Sequence, residues 1–129
     1  ISDSVVRACN ASENSGKGVY LIAGGQNVVT RCLLNDNTQQ GLHVAAAAFA
    51  NQIVDNVATN NGANSTGFWI QGSRSVVHDN TGQDNANYGF WFDGVAVAAY
   101  RNLAINNALG GYNETVNCIC PAALPSAAV

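Results

Sequence analysis

The sequence predicts an all-β chain wound into a single-stranded, right-handed parallel β-helix. This is a solenoid of about five coils with about 22–24 residues in each. Three observations predict it: the composition, a motif that recurs at near-constant spacing, and an aromatic triplet that strand alternation divides between two faces. Asparagine supplies 18 of the 129 residues and glycine 13, while methionine is absent. Asn and Gly are poor helix formers, but they suit tight turns that need positive φ. Nearly half of the chain is apolar (47%), too much for a disordered segment.

The repeat sets five rows. Row one holds Val6, Cys9, Asn14 and the unit Gly18-Val19-Tyr20-Leu21. Row two holds Val29, Cys32, Asn37 and Gly41-Leu42-His43-Val44, and row three Ile53, Asn56, Asn61 and Gly67-Phe68-Trp69-Ile70. Row four holds Val77, Asn80, Asn85 and Gly89-Phe90-Trp91-Phe92, and row five Ala99, Asn102, Asn107 and Gly111-Tyr112-Asn113-Glu114. The Cys/Asn column steps by 23, 24, 24 and 22 residues. A unit this short, without helical periodicity, cannot bury its own apolar face, whereas stacked copies can. Coils would lie about 4.8 Å apart, like neighbouring strands. Stacked asparagine amides can then hydrogen-bond up and down their column.

The triplet Phe90-Trp91-Phe92 follows the same logic, because neighbouring strand residues point to opposite faces. The flanking positions point inward: Val19/Leu21, Leu42/Val44, Phe68/Ile70 and Phe90/Phe92. The middle position points outward, giving a column of Tyr20, His43, Trp69 and Trp91 that Asn113 ends. The β-helix is expected over residues 1–117. Residues 118–129 carry two prolines, which stop strand pairing, and read as a C-terminal cap or linker. The chain opens at Ile1 with Val5 and Val6 already strand-like, so it reads as a mature or partial segment of something longer.

Five Lys and Arg against eight Asp and Glu, a net charge of −3, argue against nucleic acid or an anionic membrane as partner. No apolar run approaches the roughly 20 residues of a membrane span. The longest candidate, residues 44–50, is too short.

Val-x-x-Asn, then Asn, then Gly-aromatic-x-aliphatic resembles the parallel β-helix repeat of pectin-lyase-like proteins over about residues 5–115. "TGFWIQG" and "YGFWFDG" are also similar to β-helix segments of fibrocystin-like and hyaluronan-degrading cell-surface proteins. That narrower likeness implies a piece of a large secreted or membrane-anchored protein. The enzymatic motifs of the wider group do not follow. "NDNT" at 35–38 has the wrong order for the Asn-Thr-Asp of polygalacturonases, and their Asp-Asp, Gly-His-Gly and Arg-x-Lys motifs are absent. So is the Asp-Pro-His of alginate epimerases.

The outward column could stack sugar rings, or could be covered by a loop, a neighbouring domain or a second copy. Asp36, Asp55, Asp79, Asp84 and Asp93 fall in different columns; Asp55 and Asp79 stack but do not make a site. His78 beside Asp79 is expected to face away from it, as strand neighbours do. Cys9 and Cys32 share a column one coil apart, within reach of a disulfide, although stacked free thiols are the alternative. Cys118 and Cys120 would pair poorly with each other and could bond to chain elsewhere. Zinc would need further ligands, and only His43 and His78 exist, so no metal or cofactor is expected. Sequons for glycosylation occur at Asn10, Asn64 and Asn113, most of them accountable to chance.

The first function expected is structural, with no catalysis: a rigid spacer or assembly segment of an extracellular or cell-surface protein. Its partners would be further copies or neighbouring domains of a longer parent chain. The second is a carbohydrate-binding or carbohydrate-active β-helix that holds a polysaccharide on the aromatic stripe.

Overall fold

The computed structural model describes residues 2–62 and 65–114. Its strands are β1 (Val5–Arg7), β2 (Val19–Gly25), β3 (Val28–Thr30), β4 (Leu42–Phe49), β5 (Gln52–Val54), β6 (Val57–Thr59) and β7 (Phe68–Ile70). They continue as β8 (Val76–His78), β9 (Thr81–Gln83), β10 (Tyr88–Phe92), β11 (Ala98–Tyr100), β12 (Leu103–Ile105) and β13 (Gly110–Glu114). Each pairs in parallel with its counterpart one coil away, giving the three sides of a parallel β-helix. The first side is β1-β3-β5-β8-β11, the second β6-β9-β12 and the third β2-β4-β7-β10-β13. Bridges from Asn10 to Leu33 and from Leu33 to Val57 extend the second side into the first two coils.

The register is the one the repeat implies. Val6 pairs with Val29, Val29 with Ile53, Ile53 with Val77 and Val77 with Ala99. The last four of these side chains are buried. On the third side Phe68, Ile70, Phe90 and Phe92 all point inward and are buried, with Phe68 and Phe90 stacked at 4.8 Å between centroids. The second side adds Leu34, Ala58 and Ala104, also fully buried. Residues 44–50, the longest apolar run, lie largely in β4, where the pairing with β2 shifts register between Leu21 and Ala23 to absorb extra length.

Each coil turns at left-handed residues that are not glycine. One corner column is Ala8, Arg31, Asp55, Asp79 and Arg101, and a second is Glu13, Asp36, Asn60, Asp84 and Asn106. A third is Asp3, Gln26, Ala50, Arg74 and Ala96. Such backbone costs roughly 1–2 kcal/mol per L-residue, so something must over-determine it. At most corners the residue immediately after does so. Asn56 donates its backbone N–H to Asn80 Oδ1 at 2.9 Å, and its Nδ2 donates to the same oxygen at 3.1 Å. Asn80 in turn donates to Asn102 Oδ1 from its backbone and from Nδ2. The ladder Asn14-Asn37-Asn61-Asn85-Asn107 repeats the pattern at the second corner. Asn27 and Asn51 form a shorter third ladder, which the five rows above do not contain. Ser75 and Val97 stand in its place in the later coils, so the column fades from the sequence.

The glycines that open the first four Gly-x-y-z units, Gly18, Gly41, Gly67 and Gly89, are required by these ladders. A Cβ on Gly67 would lie 2.7 Å from Asn85 Nδ2 and 2.8 Å from the Gly89 carbonyl oxygen. The corner column and the facing backbone leave no room for a side chain.

Candidate functional site

The alternation that buries Phe90 and Phe92 brings Tyr20, His43, Trp69 and Trp91 into one column across β2, β4, β7 and β10. Their rings stack plane on plane, at 4.8 Å for Tyr20–His43, 4.5 Å for His43–Trp69 and 5.3 Å for Trp69–Trp91. Interplanar angles of 16°, 5° and 23° mean that each inner ring gives both faces to its neighbours. Lys17 Nζ lies 4.7 Å from the centroid of Tyr20, and Tyr88 meets Trp91 edge-on at 6.2 Å. A sugar stacks on the face of a ring, so this column offers it far less than a row of flat-lying rings would. Alternation tells which side of the sheet a side chain takes, and not how its ring is turned.

Burial along the column is uneven. Tyr20 is 42% exposed, whereas His43 is 6% exposed. His43 Nε2 lies 2.8 Å from Gln71 Oε1, while its Nδ1 and the indole nitrogens of Trp69 and Trp91 are buried without a hydrogen-bond partner. Burial lowers the pKa of His43, against the opposing effect of the Gln71 bond, and Lys17 lowers it further. A group with a lowered folded pKa binds its proton more readily in the unfolded chain. Stability should therefore fall as pH drops below the ordinary histidine value of about 6.5 toward the folded value. Melting temperatures measured from pH 7 to pH 5 should decline in the wild type, and His43→Phe should flatten part of that slope. An unchanged slope would contradict a neutral, desolvated His43.

The structure corrects one reading of the sequence. His78 and Asp79 do not face apart: His78 Nδ1 lies 2.6 Å from Asp79 Oδ2. The strand ends at His78, and Asp79 turns the left-handed corner with φ 57°, which breaks the alternation. Arg101, one coil on, grips the same carboxylate through Nε and Nη2, both at 2.8 Å. Arg101 and then His78 hold the Asp79 carboxyl well below the usual carboxylate range. The His78 ring stacks on Tyr100 at 4.8 Å, so the cluster ties two coils together.

Two further carboxylates, Asp36 and Asp84, are also bonded to neighbouring amides. Asp36 accepts from Asn60 Nδ2, and Asp84 from Asn106 Nδ2 and Gln83 Nε2. Asn60, Asn61, Asp84, Asn85 and Asn106 line a groove of about 470 Å³ on this second corner. Among the described residues, no group of three or more His, Cys, Asp or Glu is placed to hold a metal ion. No described helix is long and apolar enough to cross a membrane.

Cys9 and Cys32 occupy the first two steps of the corner ladder that Asn56, Asn80 and Asn102 continue. Both stand as free thiols, Cys9 exposed and Cys32 buried. Cys9 Sγ lies 3.5 Å from the Arg7 carbonyl oxygen, and Cys32 Sγ 3.4 Å from that of Thr30. Burial pushes the Cys32 thiol up from its ordinary pKa. Cys118, Cys120 and Asn64 lie outside the described residues. Asn10 is exposed, and the Ser12 hydroxyl of its sequon lies 2.5 Å from Asn10 Oδ1. Asn113 is half-buried and pairs with Trp91 at the end of the ring column.

A family model described as a right-handed beta helix region matches residues 1–75, more than half of the chain. No curated protein and no solved structure matches it. The uniform parallel register, the stacked corner ladders and this match lead to one assignment: the chain belongs to the right-handed β-helix family.

Proposed function

We propose that the chain is a structural segment of an extracellular or cell-surface β-solenoid protein, a rigid spacer that carries neighbouring domains or further coils. One observation carries this reading: the polar and aromatic side chains that could serve a ligand are bonded from coil to coil. Asn56-Asn80-Asn102 and Asn37-Asn61-Asn85-Asn107 are continuous ladders. Asp79 is held by Arg101 and His78, and the inner rings of the outward column have both faces covered by one another. Such cross-links make a stiff rod from short strands. The absence of the pectinolytic and epimerase motifs from the sequence points the same way. The test is an assay of the chain against pectin, alginate and hyaluronan. No turnover is expected, and turnover of any of them would overturn the reading.

The second reading, a carbohydrate-binding β-helix, is favoured by the 42% exposure of Tyr20 at one end of the ring column. It requires binding on a glycan array that Trp69→Ala and Trp91→Ala abolish while the fold survives. A chain that ignores every glycan leaves only the structural reading.

A further inference from the structure

We propose that Cys9 and Cys32 are an oxidisable pair whose disulfide staples the first coil to the second, in place of the amide ladder that binds the later coils. At this corner the column reads Cys9, Cys32, Asn56, Asn80, Asn102. From Asn56 onward each step is tied by an Nδ2 that donates to the next Oδ1 and back to a main-chain carbonyl. Cys32 still donates its backbone N–H to Asn56 Oδ1 at 3.0 Å, but it has no oxygen to offer Cys9. The ladder therefore stops one coil short of the end, at two residues able to form a covalent bond across the same gap.

The backbone holds the pair in register. Ala8 N–H donates to the Thr30 carbonyl at 3.0 Å and Leu33 N–H to the Cys9 carbonyl at 2.9 Å, one bond on either side of the cysteines. Parallel neighbours so held lie about 5 Å apart at Cα, inside the window of roughly 4.4–6.8 Å that a disulfide needs. Exposure sets the order of events. The Cys9 thiolate attacks a small disulfide such as oxidised glutathione, forming a mixed disulfide and releasing one thiol. Cys32 then attacks the Cys9 sulfur, and the second glutathione leaves as a thiol carrying the remaining proton. Two protein thiols are oxidised and one small disulfide is reduced to two thiols. The raised pKa of Cys32 makes this second step faster at alkaline pH.

The test uses the full chain equilibrated with oxidised or reduced glutathione. Trypsin cleaves after Arg7, Lys17 and Arg31, so the two cysteines fall in separate peptides, 8–17 and 32–74. Cys118 and Cys120 fall in a third, beyond Arg101. After oxidation, peptides 8–17 and 32–74 should be found linked without reductant. The melting temperature should rise by roughly 10 °C, return on reduction, and fail to rise in Cys9→Ser and in Cys32→Ser. The proposal is overturned if Cys9 and Cys32 both remain alkylatable or keep glutathione adducts. It is equally overturned if either links to Cys118 or Cys120.

Discussion

Asn80→Ala is expected to destabilise the chain by about 3–5 kcal/mol, a large part of the stability of a small domain. Asn80 is 1% exposed and works in both directions along its column. Its Oδ1 accepts the backbone N–H and the side-chain amide of Asn56, and its Nδ2 donates to Ile53 O at 2.8 Å and to Asn102 Oδ1 at 3.0 Å. Alanine would leave the Asn56 backbone N–H and one of its two Nδ2 hydrogens unpaired, while Nδ2 keeps its bond to Val29 O; each unpaired N–H costs about 1–3 kcal/mol. No strand pairing replaces them, because the chain is turning a corner there. Asn80→Asp sharpens the test. A carboxylate would face Asn102 Oδ1 and Ile53 O, acceptors it cannot satisfy, until protonation restores a donor. That variant should be less damaging near pH 4 than at pH 7 when each is compared with wild type at the same pH. Chemical denaturation of both variants reads these effects, and a loss below 1 kcal/mol for Asn80→Ala would show that the ladder bears little load.

Phe90→Ala should cost about 3–5 kcal/mol for a different reason. Phe90 is fully buried between Phe68 at 4.8 Å and Tyr112 at 5.4 Å, with Phe92 at 5.8 Å. The rigid coils above and below cannot collapse into the void it leaves. Trp91→Ala should cost less, about 1–2 kcal/mol, since it removes an outward ring stacked on Trp69 from a half-exposed position. The contrast between adjacent residues is the informative quantity. If Trp91→Ala unfolded the chain while Phe90→Ala were mild, the faces would be exchanged, as a one-residue slip requires.

Much of this architecture is legible in the sequence because stacking permits little variation in coil length. Once Asn56 and Asn80 are aligned, Val29, Ile53 and Val77 fall into one inward column, and Tyr20, His43, Trp69 and Trp91 into one outward column. The third corner was hidden because only Asn27 and Asn51 mark it before Ser75 and Val97 take over, and because its distance from the preceding Gly-x-y-z unit varies from coil to coil, where β2 and β4 also shift register. The pairing of His78 with Asp79 was missed for a related reason. Left-handed corners usually announce themselves with Gly or Asn, but here Ala8, Arg31, Asp55, Asp79 and Arg101 fill them. The usable signal was positional: the residue just before each ladder asparagine is the corner.

Amide hydrogen exchange at those corners tests the ladder most directly. The backbone N–H groups of Asn56, Asn61 and Asn80 are bonded to side-chain oxygens of the next coil and to no strand partner. They should exchange as slowly as the strand amides of Val29 and Val77, opening only with global unfolding. In Asn80→Ala all three should lose the protection that the lowered global stability removes, and the Asn56 amide should lose more than the other two, because its acceptor is gone. Exchange of all three within seconds in the wild-type chain would show open, solvated turns and would contradict a solenoid sealed by its asparagines.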